Sequence, residues 1–379
     1  MKQFENRLKE LLSDQELFLF MQSLDNEFKK SIRINPLRTP IEINLGEKLS
    51  WCDRGYFFNI QTLGVKPNLH PALLSGRAFI QEAGAMEVVE YLDVQPGMYV
   101  LDLCAAPGAK STQIGEKLKD TGWLVSNEVV RDRARVLDAL LMRHGISRST
   151  VYNLKPHELS LRFQNKFDRI LVDAPCSGES LFAKRNEKRK DVSNKEVKQC
   201  QKRQLSILDS AVQMLKAGGK LIYSTCTYSK DENENVIDSF LKNHIEFELQ
   251  SQHRRWPHKD KVPGGYFAVI VKKGHWVKDV IDLSSFFDNT HGLLRAGLKR
   301  WNGELDLYAH AMDLFYADKG AFSGDYKIKR DEISKFLMSS TVDITDGVYR
   351  LLDSDSAVVM GCFRVVNKKL TLLIPKAVL

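Results

Sequence analysis

The sequence predicts an α/β protein whose central part is an open, mostly parallel sheet, with a smaller α+β unit on either side. Between about residues 96 and 226, short apolar runs alternate with helical segments, as in a parallel sheet with helical crossovers. The flanking stretches lack this regular alternation, and 379 residues suffice for two or three domains. We therefore divide the chain into residues 1–75, 76–279 and 280–379.

Composition and cysteine spacing limit the class of protein. Hydrophobic residues make up 43% and charged residues 27%, which is typical of soluble globular proteins, and the net charge of +8 favours a polyanionic partner. The six cysteines are scattered without a CxxC pair, which argues against a disulfide framework and against a structural zinc site. No signal peptide or long apolar run is evident. We expect a cytoplasmic protein.

The first unit combines helices with a strand. Phe4, Leu8 and Leu12 share a helical face, whereas Ser31–Arg38 alternates before its proline as a strand does. Arg33 in this segment is either a plain strand-end residue or a flanking contact to nucleic acid. A helix is predicted within 76–91.

The middle unit contains five predicted parallel strands. Four are Tyr99–Leu103, Trp123–Ser126, Thr150–Asn153 and Phe167–Val172, and the fifth follows the turn at 217–219 and ends at Cys226. A long helix, roughly 195–215, precedes the fifth strand. The segment 264–273 alternates as an antiparallel edge strand does.

The third unit is predicted to be a small α+β or β-barrel-like module. A helix is expected over Leu307–Phe315. Strands are expected over Gly347–Arg350, Ala357–Val365 and Leu370–Ile374.

The loop after the first parallel strand, CAAPGAK, consists mostly of small residues and leads into a helix. Such a loop lets backbone amides approach a ligand, although a tight turn without a ligand is an equally good interpretation. It matches neither the dinucleotide nor the P-loop pattern. Glu128 ends the second strand, where an acid can accept both hydroxyls of a ribose. Together they fit a nucleoside cofactor that needs no phosphate capture, such as S-adenosylmethionine.

Two cysteines follow strand ends. Cys176 comes just after the fourth strand, and Cys226 ends the fifth. Either one alone is more simply explained as inert packing. Two thiols in one crevice without a metal-ligand set instead indicate covalent catalysis, because a thiolate attacks electron-poor rings.

Three long segments resemble signature motifs of the Nol/Nop/Sun (Fmu) family of RNA cytosine-5 methyltransferases. They are LDLCAAPGAKST, LVDAPCSGES and GGKLIYSTCTYSKDENENVI, in the family's order. The resemblance implies a class I, Rossmann-like methyltransferase domain, an N-terminal α+β RNA-binding domain and a C-terminal PUA-like RNA-binding domain. In the usual order of that sheet, the fourth strand lies between the first and the fifth, which brings Cys176 and Cys226 together.

The resemblance also implies roles for residues. Cys226 attacks carbon 6 of a flipped-out cytosine, so that carbon 5 accepts the methyl group of S-adenosyl-L-methionine. Asp173 holds ring nitrogen 3 and the exocyclic amine, Cys176 assists product release, and Lys110 lies close to the reacting groups. No metal is implied. The implied cofactor-binding residues are Cys104, Ala105, Ala106, Pro107, Gly108, Ala109, Lys110, Glu128, Arg133, Asn153 and Asp173.

The chain departs from the family pattern at several positions. Ala109 stands where glycine is usual, Ser180 occupies a position that often needs glycine, and the segment 183–190 differs from the typical one. Asn153 stands near a position where many relatives have an aspartate. These departures leave the choice of target open.

Basic residues indicate where RNA lies. Residues 184–203 contain nine Lys or Arg against three acids, which describes either a phosphate-binding surface or a solvated helix face. His253–Lys259 places Trp256 among basic residues, as a stacking surface for unpaired nucleotides does. Lys299–Trp301 is a further candidate contact.

The leading hypothesis is a monomeric RNA cytosine-5 methyltransferase acting on 16S ribosomal RNA. A tRNA methyltransferase is the alternative enzyme. A catalytically degenerate RNA-binding assembly factor is the alternative without catalysis.

Overall fold

A computed structural model describes residues 2–38, 43–183, 191–277, 293–296, 324–329, 332–355 and 359–372. Its strands form three sheets, of three, eight and four strands. Three predicted features lie outside the described residues: the candidate contact Lys299–Trp301, the helix Leu307–Phe315 and the basic residues 184–190. Among the described residues, no helix is both long and apolar enough to cross a membrane.

The first unit builds a three-stranded antiparallel sheet in the order β2-β1-β3. Its elements are α1 Lys2–Leu8, α2 Asp14–Ser23, β1 Lys30–Ile34, β2 Gly55–Phe58, α3 Pro71–Leu74 and β3 Ala78–Ile80. Helix α2 begins with a capping box in which Ser13 and Glu16 satisfy each other's backbone N–H groups. The strand expected over 31–38 is present as β1, and the sheet extends past residue 75 through β3.

The central sheet has the strand order β11-β6-β5-β4-β7-β8-β10-β9. Its elements are α4 Ala83–Tyr91, β4 Tyr99–Asp102, α5 Ala109–Leu118, β5 Trp123–Asn127, α6 Arg131–His144, β6 Ser149–Tyr152, α7 Pro156–Arg162, β7 Phe167–Asp173, α8 Asn194–Met214, β8 Leu215–Thr225, α9 Glu234–Asn243, β9 Phe247–Arg255, α10 Pro257–Asp260, β10 Gly265–Lys272 and β11 Leu293–Ala296. The five predicted parallel strands are β4 to β8. The fourth, β7, lies between β4 and β8 as expected.

The prediction that 264–273 is an edge strand is wrong. Strand β10 lies between β8 and β9 and pairs antiparallel with both, so β9 forms this edge of the sheet. Its inner residues, from Tyr266 to Ile270, are all buried. At the other edge, β11 pairs antiparallel with β6. Strand β11 lies beyond residue 279, so the central sheet extends into the predicted third unit.

Two apolar layers sandwich the central sheet. One is formed by side chains from α7, α8 and α9, and the other by side chains from α4, α5 and α6. Side chains that alternate along each buried strand feed the two layers in turn. The loops at the carboxyl ends of the strands remain free to build a site.

The described part of the third unit forms a sheet in the order β12-β13-β14-β15. Its elements are β12 Gly324–Ile328, α11 Ile333–Leu337, β13 Gly347–Asp353, β14 Val359–Val366 and β15 Lys369–Leu372. Strand β12 runs parallel to β13, and the other pairs are antiparallel. The three strands expected between 347 and 374 are therefore present. Leu74 of the first unit packs into the core of this sheet.

Candidate active site

The two cysteines at the strand ends meet. Strands β7 and β8 pair in parallel with Asp173 opposite Ser224, so the chain leaves both strands at the same level of the sheet edge. The Sγ atoms of Cys176 and Cys226 are 3.2 Å apart. Cys226 is exposed and Cys176 is half-buried. The geometry thus joins the two residues that the sequence predicted to share a crevice.

Hydrogen bonds fix the loop that carries Cys176. Glu232, fully buried, accepts from the backbone N–H of Ser177 at 2.9 Å and from the side-chain amide of Gln204 at 2.9 Å. The same amide also donates to the carbonyl oxygen of Pro175 at 3.2 Å. The residues on both sides of Cys176 are therefore tied to buried partners, which limits the motion of its thiol.

Lys110 and Asp173 form an ion pair beside the thiols. Lys110, in the first turn of α5, places its Nζ 2.7 Å from Oδ2 of Asp173. The hydroxyl of Ser224 donates to the other carboxylate oxygen at 2.7 Å. Burial lowers the pKa of Lys110, but the carboxylate of Asp173 outweighs it, so the pKa of Lys110 is raised and the ammonium form is kept.

The electrostatic surroundings of the two thiols differ. A hydrogen bond from Cys176 lowers the pKa of Cys226, and Lys110 and the hydroxyl of Ser180 act in the same direction against burial and Asp173. The shared hydrogen bond, burial and the charge of Glu232 raise the pKa of Cys176. Of the two thiols, Cys226 is therefore the one that more readily forms the thiolate, which is the reactive form.

The predicted cofactor loop lies between β4 and α5. Gly108 has a φ of +117°, and a Cβ there would lie 3.0 Å from the side chains of Leu137 and Leu140, so glycine is required. Arg133 donates to the carbonyl oxygen of Ala106 at 2.7 Å, which fixes the loop against α6. Ala109 is the first residue of α5.

Glu128 is held at the end of β5. One carboxylate oxygen accepts from the N–H of Val130 at 2.9 Å, and the other lies 3.2 Å from Nη1 of Arg133. Asn153 donates its side-chain amide to the carbonyl oxygen of Glu128 at 2.7 Å. Glu128, Arg133 and Asn153 thus form one connected group beside the loop.

The residues present fit a cationic cofactor. Burial raises the pKa of Asp102 to about 7. The hydroxyl of Ser111 donates to Oδ2 of this carboxyl group at 2.6 Å, whereas Oδ1 is buried without a protein hydrogen-bond partner. Burial and then the charges of Asp102, Asp173 and Glu128 raise the pKa of Cys104. Three acids around one loop suit the sulfonium and ammonium charges of S-adenosylmethionine. Sequence reasoning missed Asp102, although it stands in the quoted LDLCAAPGAKST segment.

Two cavities border the cysteine pair. One, of about 90 Å³, is lined by Lys110, Asp173 and Cys226 together with residues of α4 and β10. The other, of about 410 Å³, is lined by Cys176 and by residues of α8 that include Arg203. A reactant in the first cavity contacts Cys226 and the Lys110–Asp173 pair at once.

Two predicted RNA contacts are wrong. Arg33 is 1% exposed and binds Glu116 through Nε at 2.8 Å and Nη2 at 2.9 Å, so it joins β1 to α5. Trp256 is buried and stacks on Tyr228.

The charged residues next to Trp256 are also engaged. Arg254 pairs with Glu234 and Arg255 with Glu87, each at 2.5 Å in its shortest contact. The segment 253–259 is therefore packed against other parts of the protein and is not an open surface on which bases could stack. Its basic and aromatic composition could not distinguish these two arrangements.

Ser180 does not need the conformational freedom of glycine. It lies in the 3₁₀ turn Glu179–Ala183, in which no residue has a positive φ. Its backbone N–H donates to the carbonyl oxygen of Cys226 at 3.0 Å. The departure at this position therefore leaves the geometry of the cysteine pair intact.

Two family models match the chain. Residues 89–271 match the model described as 16S rRNA methyltransferase RsmB/F. Residues 1–83 match the model described as the N-terminal domain of 16S rRNA methyltransferase RsmF.

The chain is similar to curated proteins named ribosomal RNA small subunit methyltransferase F. That of Vibrio campbellii is 34% identical over 243 residues, which cover 60% of this chain and 51% of the relative. That of Escherichia coli is 33% identical over 285 residues, covering 71% and 58%. The chain thus spans about half the length of the curated relatives it matches.

A solved structure supports the fold. The methyltransferase homolog protein from Pyrococcus horikoshii superposes with a TM-score of 0.58 at 23% identity, over 72% of this chain and 99% of that one. The similarity agrees with the Rossmann-like sheet.

Proposed function

Because the chain belongs, over residues 1–83 and 89–271, to the RsmB/F family of 16S rRNA methyltransferases, we propose that it methylates carbon 5 of a cytosine in RNA. The observation that carries this proposal is the pair of thiols 3.2 Å apart beside the Lys110–Asp173 ion pair.

Cys226 is the nucleophile. Its thiolate adds to carbon 6 of the cytosine, a carbon–sulfur bond forms, and the electron pair of the C5–C6 double bond moves into the ring toward carbon 5. Asp173 holds ring nitrogen 3 and the exocyclic amine of the base. Lys110, kept as an ammonium by Asp173, stabilises the negative charge of the thiolate and of the ring.

The loop 104–110 and the Glu128–Arg133–Asn153 group would hold S-adenosyl-L-methionine, with Asp102 and Asp173 near its positive charges. When bound, that cofactor supplies an electrophilic methyl group. The residues of the site orient carbon 5 of the cytosine toward that methyl group and exclude water from it.

Cys176 serves the release of product. A base takes the proton from carbon 5, the electrons of that C–H bond restore the C5–C6 double bond, and the carbon–sulfur bond breaks with its electrons on sulfur. The thiol of Cys176 donates a hydrogen bond to the departing sulfur of Cys226, which stabilises the leaving thiolate. Without this donor, we expect elimination to slow more than addition.

Ribosomal RNA is the proposed substrate, since the curated relatives are named for it. Four exposed basic residues of α8 lie on the side of the second cavity and suit RNA phosphates: Lys195, Lys198, Lys202 and Arg203.

Residues 1–75 and 280–379 are proposed as RNA-binding units around the methyltransferase domain 76–279. We place the protein in the cytoplasm as a monomer. Transfer RNA is the alternative substrate, and an assembly factor without catalysis is the alternative role.

The test is methyl transfer from labelled cofactor to small ribosomal subunits, naked 16S RNA and total tRNA. We expect wild type to label 16S RNA at cytosine and Cys226→Ala to label nothing. Cys52→Ala, which changes a buried thiol outside both cavities, is the matched control and should keep activity. Label in tRNA alone would transfer the proposal to the alternative substrate, and no label in any RNA would favour the assembly factor.

A further inference from the structure

A buried ion pair connects the first helix to the turn that follows Cys176. Arg7 of α1 donates from Nη2 to Oε1 of Glu179 at 2.6 Å. Arg7 is 9% exposed and Glu179 is 1% exposed. A pair so removed from water interacts strongly, and either charge alone would be costly to bury.

Glu179 continues the connection to the turn after Cys226. Its second oxygen, Oε2, accepts from the hydroxyl of Thr227 at 2.9 Å and from the backbone N–H of Tyr228 at 3.1 Å. Thr227 is the residue directly after Cys226, so the carboxylate of Glu179 fixes the chain at the proposed nucleophile.

The connection then reaches the second cysteine. The hydroxyl of Ser177 donates to that of Thr227 at 2.7 Å, since Thr227 gives its own proton to Glu179. Ser177 directly follows Cys176. A continuous series of hydrogen bonds thus runs from Arg7 to the residue after each cysteine, and we call the four residues Arg7, Glu179, Thr227 and Ser177 the cysteine clasp.

Helix α1 is itself firmly seated. Arg7 also donates from Nη1 to the side-chain oxygen of Asn194 at 2.8 Å. Phe4, on the same face, packs edge-on against Phe182 with ring centroids 5.2 Å apart, and lies 6.3 Å from the ring of Tyr228. The helix therefore offers Arg7 as a fixed donor to Glu179.

We propose that Arg7 is a positioning residue for the thiol pair, acting through Glu179 and the other members of the cysteine clasp. The first unit thereby contributes to the chemical step as well as to RNA binding. This inference rests on the proposed function. A loss of the ion pair releases the turns after Cys176 and Cys226, and a displacement of about 1 Å at a reacting group reduces rates by about 100-fold.

The experiment compares Arg7→Met, Glu179→Gln and the double variant. Arg7→Met should lower kcat by about 10- to 100-fold while the KM and Kd for RNA stay within about twofold. The double variant leaves no unpaired charge buried at this position. The amide oxygen that Glu179→Gln introduces can still accept the hydrogen bond from Thr227. The double variant should therefore recover most of the kcat that Arg7→Met loses. Lys9→Met, which removes an exposed charge just after α1, should leave kcat unchanged.

A second measurement separates this inference from the proposed function. The alkylation rate of Cys226 by iodoacetamide, followed by peptide mass spectrometry, requires neither RNA nor cofactor. Arg7→Met should slow it by about 10-fold at neutral pH, because a displaced Cys176 no longer donates the hydrogen bond that favours the Cys226 thiolate. The double variant should restore the rate. If wild type methylates no RNA but alkylation follows this pattern, the proposed function fails and the positioning role stands.

Two outcomes would overturn the inference. One is a folded Arg7→Met variant with wild-type kcat and Cys226 alkylation. The other is weaker RNA binding with a salt dependence reduced by about one phosphate contact, which is the behaviour of a direct RNA contact. If Arg7→Met is unstable, Arg7→Lys provides the same comparison, because it keeps the charge but not the planar geometry.

Discussion

At the scale of residues, reactivity depends on which of two adjacent thiols carries the negative charge. The hydrogen bond from Cys176 and the ammonium of Lys110 favour the thiolate at Cys226. The same hydrogen bond, burial and the charge of Glu232 raise the pKa of Cys176 and disfavour its thiolate. The proposed roles of nucleophile and hydrogen-bond donor therefore rest on the shared hydrogen bond and on different surroundings, even though both side chains are cysteines.

The pH dependence of alkylation tests this assignment. The pKa of Cys226 is lowered, so its thiolate should form at a lower pH than that of a free cysteine. A free cysteine reaches half of its maximum alkylation rate at a pH of about 8.5, and Cys226 should do so below that pH. Cys176→Ala removes the donor, so the pKa of Cys226 should rise and the profile should move to higher pH. Cys52→Ala is the control, since Cys52 is buried outside both the pair and the loop 104–110. An unchanged profile in Cys176→Ala would contradict the assignment.

The sequence was sufficient to predict Cys176, Cys226, Asp173 and Lys110 as one group. Each lies in a motif at a strand end, and parallel strands bring such ends together. It was not sufficient to find Glu179 and Glu232. Glu179 accepts a hydrogen bond from Thr227, and Glu232 accepts one from Ser177. These contacts join loops that have no periodic pattern, so the sequence alone does not predict them.

At the scale of elements, helix α8 connects the predicted basic segment to the site. It begins at Ser193 with a capping box and runs 21 residues beneath the sheet. Arg203 reaches the cavity beside Cys176, and Lys195, Lys198 and Lys202 are exposed nearby on the helix. The described half of the basic segment is therefore a helix face that borders the active site.

Salt dependence of RNA binding tests the role of this face. Arg203→Met should weaken binding similarly for all RNA sequences and reduce the slope of log K against log salt by about 1, because one phosphate contact is lost. Lys242→Met, an exposed charge on α9, is the control and should leave the slope unchanged. Equal slopes for Arg203→Met and wild type would show that the face is only solvated.

Strand prediction succeeded in the middle of the sheet and failed at both edges, since neither β9 nor β11 was predicted. The buried strands β4 to β8 are short apolar runs between turns, which periodicity reveals. Strand β9, FELQSQHRR, is largely polar and was missed, because its outer side and its edge face water. Without β9, strand β10 had no second partner and was assigned to the edge.

At the scale of the whole molecule, Arg33 unites the first and middle units. Besides Glu116, its guanidinium contacts Thr112 at 2.8 Å and the carbonyl oxygen of Ala109 at 3.2 Å. All three partners belong to α5, the helix that carries Lys110. The first unit therefore contacts α5 through Arg33 and the turn after Cys176 through Arg7.

Stability measurements test this union. Arg33→Met leaves the carboxylate of Glu116 buried without its main partner. It should therefore lower the free energy of unfolding, measured by urea denaturation, by about 3–5 kcal/mol. Lys30→Met, an exposed residue on the same strand, should change it by about 0.5 kcal/mol or less. The double variant Arg33→Met, Glu116→Gln should regain part of the loss. Similar values for Arg33→Met and Lys30→Met would mean that the units are stable without this link.

The central claim is that Cys226 forms a covalent bond to cytosine and that Cys176 releases it. The most direct measurement is to incubate each variant with 16S RNA and S-adenosylmethionine, separate protein–RNA adducts under denaturing conditions, and map the bonded peptide by mass spectrometry. Cys176→Ala should accumulate an adduct at Cys226, and Cys226→Ala should form none. An adduct in Cys226→Ala, with none in Cys176→Ala, would contradict the claim and reverse the two roles.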